Sequence, residues 1–219
     1  MKIRNFNKLA KYYDFLLFMF SGRLIRNSQL QLLSSVPKVQ KVLIAGGGTG
    51  TFLLDFLKSN HPKKIVYIDS SSEMIALSKK RIEIFDKKYL KNIEFICNEI
   101  EQFEPQEKFD LIVTNFFLDL FEGKELDLIV KKLSNCLEVQ GYWYYTDFQK
   151  VERPWLKKYI INSILKMLYI FFRTTCHIKA EKLGSVKEIF SHIGLEKIIS
   201  KESFFGFINT VLYRKANQE

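Results

Sequence analysis

The sequence predicts an α/β protein, a seven-stranded and mostly parallel sheet with helices on both faces. Three observations carry that expectation. An apolar run, Lys41-Val42-Leu43-Ile44-Ala45, drives into the glycines 46, 47, 48 and 50 and then into the helical pattern of residues 51–57. A second apolar run, 64–69, closes on Asp69, nineteen residues after Gly50. Beyond it, strand-like and helix-like patterns alternate, which places parallel strands side by side with helices packed above and below them.

The first strand, turn and helix define a ligand site. Glycine adopts backbone conformations closed to other residues and lets a ligand approach without a Cβ in the way, so Gly46, Gly48 and Gly50 mark a turn built for a nucleotide-like group. An acid at the tip of the second strand is placed to hold a ribose diol through carboxylate hydrogen bonds. The glycine spacing is G-x-G-x-G, not the dinucleotide form G-x-G-x-x-G.

The following elements are read from periodicity and breakers. A helix is expected over about 72–85, strands near 93–97 and 109–115, a helix over about 124–137 and a strand over 142–148. Residues 186–193 form one more helix, stopped by Gly194. Residues 195–204 and 207–214, separated by Gly206, form a closing antiparallel pair.

In this order the motifs resemble those of the class I S-adenosylmethionine-dependent methyltransferases, over residues 41–148. The resemblance implies a Rossmann-like sheet in the order 3-2-1-4-5-7-6 and S-adenosylmethionine as cofactor. It places the cofactor across Gly46, Gly47, Gly48 and Gly50 with Ala45 before them, and the ribose on Asp69 with Ser70 beside it. The segment Ser70-Ser71-Ser72-Glu73-Met74-Ile75 would lie against the adenine, with Met74 in contact. Glu99, followed by Ile100, stands where the family usually has the Asp that reads the adenine amino group. Asn115, in Thr114-Asn115-Phe116-Phe117, ends the fourth strand, whose tip faces the transferable methyl. One position departs from the pattern. Ile44 stands where the family normally has an acid that helps to hold the methionine end. Recognition of the amino group then falls to backbone carbonyls or elsewhere, which leaves weaker cofactor binding, a compensating residue or a degenerate fold that no longer catalyses.

The chain of 219 residues is expected to be one domain, 1–219. It divides into an N-terminal helical arm (1–40), the cofactor-binding core (41–148), a helical cap insertion (149–184) and a closing helix with a β-hairpin (185–219). A hydrophobic content of 47% excludes a disordered chain. The three cysteines, Cys97, Cys136 and Cys176, show no C-x-x-C spacing, so neither a zinc site nor a disulfide framework is indicated and a reducing, cytoplasmic setting fits. No secretory signal or bilayer-spanning run is visible, since charged residues interrupt the apolar stretches.

The net charge of +10 is unevenly spread: +7 in residues 1–41 and +6 in 150–182, against −4 in 42–149. Both basic segments are also apolar, with unbroken apolar residues over 15–20 and nearly so over 159–172. That combination favours an anionic membrane surface over a polynucleotide. The arm motif Ala10-Lys11-Tyr12-Tyr13-Asp14 resembles the ubiquinone/menaquinone-biosynthesis methyltransferases, which implies that Tyr13 covers the bound cofactor.

A sulfonium methyl needs alignment of the acceptor and exclusion of water. Acceptors of high pKa also need a general base. The candidates are His177, in the insertion, and Asp147, at the carboxyl end of the fifth strand; His61 and His192 read as structural or solvated. The expected function is methyl transfer to a lipophilic small molecule, an aromatic or isoprenoid metabolite, at or near the inner membrane surface. An RNA methyltransferase and a non-catalytic cofactor-binding protein are the alternatives. Nucleic acid ranks second because Asn115 is followed by Phe116-Phe117-Leu118 and not by the Pro-Pro-Tyr of base amino-group methylation. An aminopropyltransferase shares the G-G-G-x-G turn but would carry Asp at Thr49 and further acids at the fourth strand.

Overall fold

The computed structural model describes residues 23–149 and 186–217, with only the backbone of Phe205. Tyr13, His177 and the cap insertion from residue 150 to 184 lie outside the described residues, as does the arm up to residue 22.

Seven strands form one sheet: β1 (Lys41–Ala45), β2 (Lys64–Asp69), β3 (Ile93–Cys97), β4 (Phe109–Asn115), β5 (Leu137–Phe148), β6 (Leu195–Ser203) and β7 (Ile208–Lys215). Their order is β3-β2-β1-β4-β5-β7-β6, as the resemblance implied. The pairs from β3 across to β5 are parallel, and β7 runs antiparallel to both β5 and β6. The reversal follows from the short closing connection, which Gly206 (φ +88°) turns.

Alternation along each strand sends side chains to two cores. On one face, Leu43, Val66, Ile112, Trp143 and Val211 pack beneath α4 (Gly123–Asn135) and α5 (Val186–His192). On the other, Val42, Ile44, Ile65, Tyr67, Leu111 and Tyr144 pack beneath α2 (Thr51–Ser59) and α3 (Ser72–Asp86). The α5 helix has only seven residues, and its anchor is aromatic. Phe190 is fully buried, with its ring 4.8 Å from Trp143 and 4.9 Å from Tyr213.

A further helix, α1 (Arg23–Leu30), crosses onto the second face and is fixed by polar contacts. Tyr144 Oη donates to the Gln29 carbonyl at 2.6 Å, Thr210 Oγ1 donates to the Ser28 carbonyl at 2.7 Å, and the Ser28 and Ser203 hydroxyls lie 2.6 Å apart. Arg26 forks onto both oxygens of Asp55 in α2 at 2.6 and 2.7 Å. Burial opposes the Asp55 charge, but the hydrogen bonds from Arg26 and Lys58 hold its carboxyl below the usual range.

Two boundaries differ from the sequence expectation by more than one residue. The α4 helix ends at Asn135 rather than near 137, and β5 begins at Leu137 rather than 142. The buried Lys215 ammonium caps this junction, donating to the carbonyls of Ser134 at 2.7 Å and Leu137 at 3.1 Å. Leu137 then pairs with Phe109, and the register shifts before Leu111 meets Tyr142, with Gln140 at φ +64° in between. Gly141 therefore interrupts the strand pattern without ending the strand.

Candidate cofactor and acceptor site

The glycine turn is fastened at each step. Leaving β1, the amides of Gly46 and Gly47 both donate to the Ile68 carbonyl, at 3.0 and 3.2 Å, so the chain curls over the tip of β2. Gly46, Gly48 and Gly50 all have positive φ (+66°, +63° and +78°), which only glycine adopts without strain. Gly47 is required for space, since a Cβ there would collide with the buried ring of Tyr67. Burial pushes the Tyr67 hydroxyl well up, so it stays protonated and donates to the Gly48 carbonyl at 2.8 Å.

Asp69 completes the turn. Its Oδ2 accepts from the Gly48 amide at 2.7 Å and its Oδ1 accepts from the Ser71 amide at 2.9 Å. Each oxygen keeps a free lone pair, enough for the two hydroxyls of a diol. A Cβ on Gly48 would meet nothing within 4 Å, so a ligand can lie directly on this backbone. The Ser71 hydroxyl caps α3 through the Met74 amide at 3.3 Å.

Above the turn lies a cavity of about 380 Å³, within the range of small-molecule sites. Ile44, Ala45, Gly46, Gly47, Gly48 and Thr49 form its floor, Thr51, Phe52 and Met74 one side, and Ile25, Arg26 and Gln29 of α1 another. Asn115, Phe116, Asp119, Leu120 and Phe148 close the end beyond β4. There Phe116 packs against Phe148 with centroids 4.9 Å apart and holds a positive φ of 52°, a strained conformation for an aromatic residue. Both amide atoms of Asn115 are buried without a hydrogen-bond partner among the described residues.

Asp119 sits on the short 3-10 turn Leu118–Leu120, and its backbone amide donates to Asp147 Oδ2 at 3.1 Å. Its Oδ1 is buried without a partner among the described residues. Burial pushes the Asp119 carboxyl up to about 6. Burial, and then the Asp119 charge, push Asp147 well above the usual carboxylate range. Asp147 is 1% exposed and takes a second hydrogen bond from the Phe148 amide at 2.9 Å. Two buried carboxyls this close oppose each other's ionisation, and Asp147 is the one held the more strongly towards its protonated form.

Of the sequence-predicted residues, Ala45, Gly46, Gly47, Gly48, Met74 and Asn115 line the cavity. Asp69 joins it through Gly48, and Ser70 lies exposed beyond, accepting from the Cys97 thiol at 3.6 Å. Gly50 starts α2 in the left-handed conformation. Glu99 is exposed and Ile100 is buried in the first core, both away from the cavity wall. Asp147 stands behind Asp119 and is not part of the wall. His61 stacks on Tyr89, and His192 bonds the Glu188 carbonyl at 2.7 Å.

Sequence reasoning missed Asp119, Arg26 and Gln29. Asp119 did leave a signal, as the single charge in the apolar run Phe116-Phe117-Leu118-Asp119-Leu120-Phe121 after a strand tip.

The chain is similar to several known proteins. Residues 43–143 match the family described as methyltransferase domain. The chain is 30% identical to malonyl-[acyl-carrier protein] O-methyltransferase 2 of Ilyobacter polytropus over 67% of its own length and 53% of that protein. It is 27% identical to ribosomal RNA small subunit methyltransferase G of Laribacter hongkongensis over 63% of each. The chain thus spans between about half and two thirds of the length of these relatives. Among solved structures, the N-methyltransferase NodS of Bradyrhizobium japonicum in complex with S-adenosyl-L-homocysteine superposes with a TM-score of 0.63 at 19% identity, over 88% of this chain and 86% of that one. With its sheet order, its glycine turn and the match over residues 43–143, the chain is similar in its cofactor-binding part to the class I S-adenosylmethionine-dependent methyltransferases.

Proposed function

We propose that this chain transfers the methyl group of S-adenosylmethionine to a lipophilic small molecule. The observation that carries this reading is the group of apolar side chains, Phe116, Leu120 and Phe148, that stands with Asn115 and Asp119 at the end of the cavity beyond β4. The cofactor supplies a methyl already activated on a sulfonium, so the protein's part is alignment and dryness. Gly48 and Asp69 would hold the nucleoside, Met74 would bear on the adenine, and Phe116 and Phe148 would exclude water around the acceptor. Asp147 has no face on the cavity, and we assign it the part of holding Asp119 rather than of meeting the acceptor. The basic, apolar segments at 1–41 and 150–182 support docking on an anionic lipid surface, from which such an acceptor would be drawn.

An RNA acceptor is the second reading, favoured by the +10 charge and by the likeness to a ribosomal RNA methyltransferase. The two separate in one experiment. The protein is incubated with S-adenosylmethionine labelled in its methyl group, once with a lipid extract and once with total RNA. Label in the organic phase is expected; label confined to RNA overturns the lipophilic reading.

A further inference from the structure

The tip of β1 is apolar. Ile44 is 3% exposed and Ala45 is fully buried, and both form the cavity floor next to the glycine turn. Across the sheet, β1 is the direct neighbour of β4, with Ala45 opposite Thr114. The residues that follow these two partners, Gly46 and Asn115, both line the cavity, and four residues after Asn115 comes Asp119. Phe117, two residues before Asp119, packs so closely on Gly46 that a Cβ there would collide with its ring.

Asp119 is the sole acid among the described residues lining the cavity, and Arg26 the sole base. The two are not equivalent. Arg26 is neutralised by the forked pair with Asp55, whereas no described cation forms an ion pair with Asp119. Of the titratable groups that act on or feel Asp119, Asp147 takes its backbone amide and Tyr145 stands on the same strand, and neither carries a positive charge. A buried carboxylate oxygen with no partner is costly unless a cation or donor meets it.

Resting on the methyltransferase reading, we propose that Asp119, held from behind by Asp147, receives the α-ammonium of the cofactor's methionine end and so replaces the acid absent at Ile44. In this assignment the acid stands on the turn beyond β4 instead of at the tip of β1, on the wall of the same cavity. Asp119 makes the contact, and Asp147, held towards its protonated form, is a positioning residue that aims the free Oδ1. Because Asp119 loses its proton near pH 6, the grip would form as pH rises through that range.

Two nucleosides test this by calorimetry. S-adenosylhomocysteine carries the α-ammonium, which stays protonated below about pH 8; 5′-methylthioadenosine has the same nucleoside and thioether but no amino-acid end. For the wild type, affinity for S-adenosylhomocysteine should fall up to about tenfold per unit below pH 6 while affinity for methylthioadenosine stays level. Asp119→Asn should weaken S-adenosylhomocysteine about ten- to a hundredfold at pH 7.5, abolish the pH dependence and leave methylthioadenosine unchanged. Methylthioadenosine binding also reports that the variant is folded, and if it is not, the wild-type pH profiles decide alone. Parallel pH profiles for the two nucleosides, or unchanged S-adenosylhomocysteine binding by the folded variant, overturn the assignment and leave the methyltransferase reading standing. Failure of the wild type to bind either nucleoside overturns that reading, and this inference with it.

Discussion

The Gly48 amide donates to Asp69 Oδ2 at 2.7 Å while Asp69 Oδ1 takes the Ser71 amide, so one carboxylate ties the glycine turn to the start of α3. The residue expected to read the ribose is thus also the fastening of the surface on which the nucleoside would lie.

Asp69→Ala should weaken S-adenosylhomocysteine by roughly ten- to a hundredfold, the value of about 1.5–3 kcal/mol for a charge-assisted hydrogen bond. Calorimetry on the folded variant measures it. An unchanged dissociation constant removes Asp69 from the site.

Two neighbouring glycines should fail in different ways. Gly47→Ala drives a methyl into the Tyr67 ring, so its main effect is on stability, about 1–3 kcal/mol for overpacking. Gly48→Ala costs about 1–2 kcal/mol of left-handed strain but aims its methyl into open space. Thermal unfolding and ligand binding, measured together, should show Gly47→Ala with the larger loss of Tm for its loss of affinity. The reverse pattern would mean that the open side of Gly48 is not the ligand side.

Asp119 makes stability depend on pH in a known direction. Its carboxyl titrates near 6 in the folded protein and near 4 in the unfolded chain, so the folded state holds the proton more tightly. That contribution is complete only below the ordinary carboxylate range and is lost as pH rises through about 6, a change of up to about 3 kcal/mol. Asp119→Asn lacks it. The stability difference between wild type and variant, from urea unfolding, should therefore move by that amount against the wild type between pH 4 and 7. A difference that does not change with pH excludes a buried, protonatable Asp119.

Phe190 bears most of the attachment of α5, being fully buried between Trp143, Tyr145 and Tyr213. Phe190→Ala should cost about 3–5 kcal/mol, read from denaturant unfolding. A loss below about 1 kcal/mol would show that α5 is held by something else.

The membrane proposal is checked by co-sedimentation. Anionic vesicles should carry the protein down at low salt and neutral ones should not, at about 1 kcal/mol per Lys or Arg near the surface. Replacing Lys158, Lys166 and Arg173 with Gln should reduce the binding. Protein that stays in the supernatant with anionic vesicles leaves the basic segments without a lipid role.

Much of the fold was legible because its signals are local. The run from Lys41 to Thr51 states a strand, a turn and a helix in eleven residues, and Asp69 confirms it at a fixed distance. The start of β5 was not legible. Leu137-Glu138-Val139-Gln140-Gly141 looks like a turn, and only the pairing of Leu137 with Phe109 and the cap from Lys215, over seventy residues away, make it strand. The cavity's charges were hidden for a similar reason. Asp119 looks unremarkable until β5 places Asp147 against it, and Arg26 belongs to the site only because Asp55 draws α1 over the turn.

The outermost strand has a consequence of its own. β6 is nine residues long, lies at the end of the sheet and is exposed along most of its length, with Ile198 and Ile199 at 53% and 40%. Among the described residues no further strand pairs with it, and an edge of that length is a template on which another chain can add itself, strand by strand. Glu196, Lys197, Lys201 and Glu202 punctuate it with charges of both signs, so an incoming strand would have to strip water from several ions to pair. Apart from Glu202, whose carboxylate accepts from Gln149 at 2.9 Å, their side chains make no hydrogen bond or ion pair among the described residues. Their work is against polymerisation, and substitutions that remove them would be tolerated by the fold and punished by aggregation.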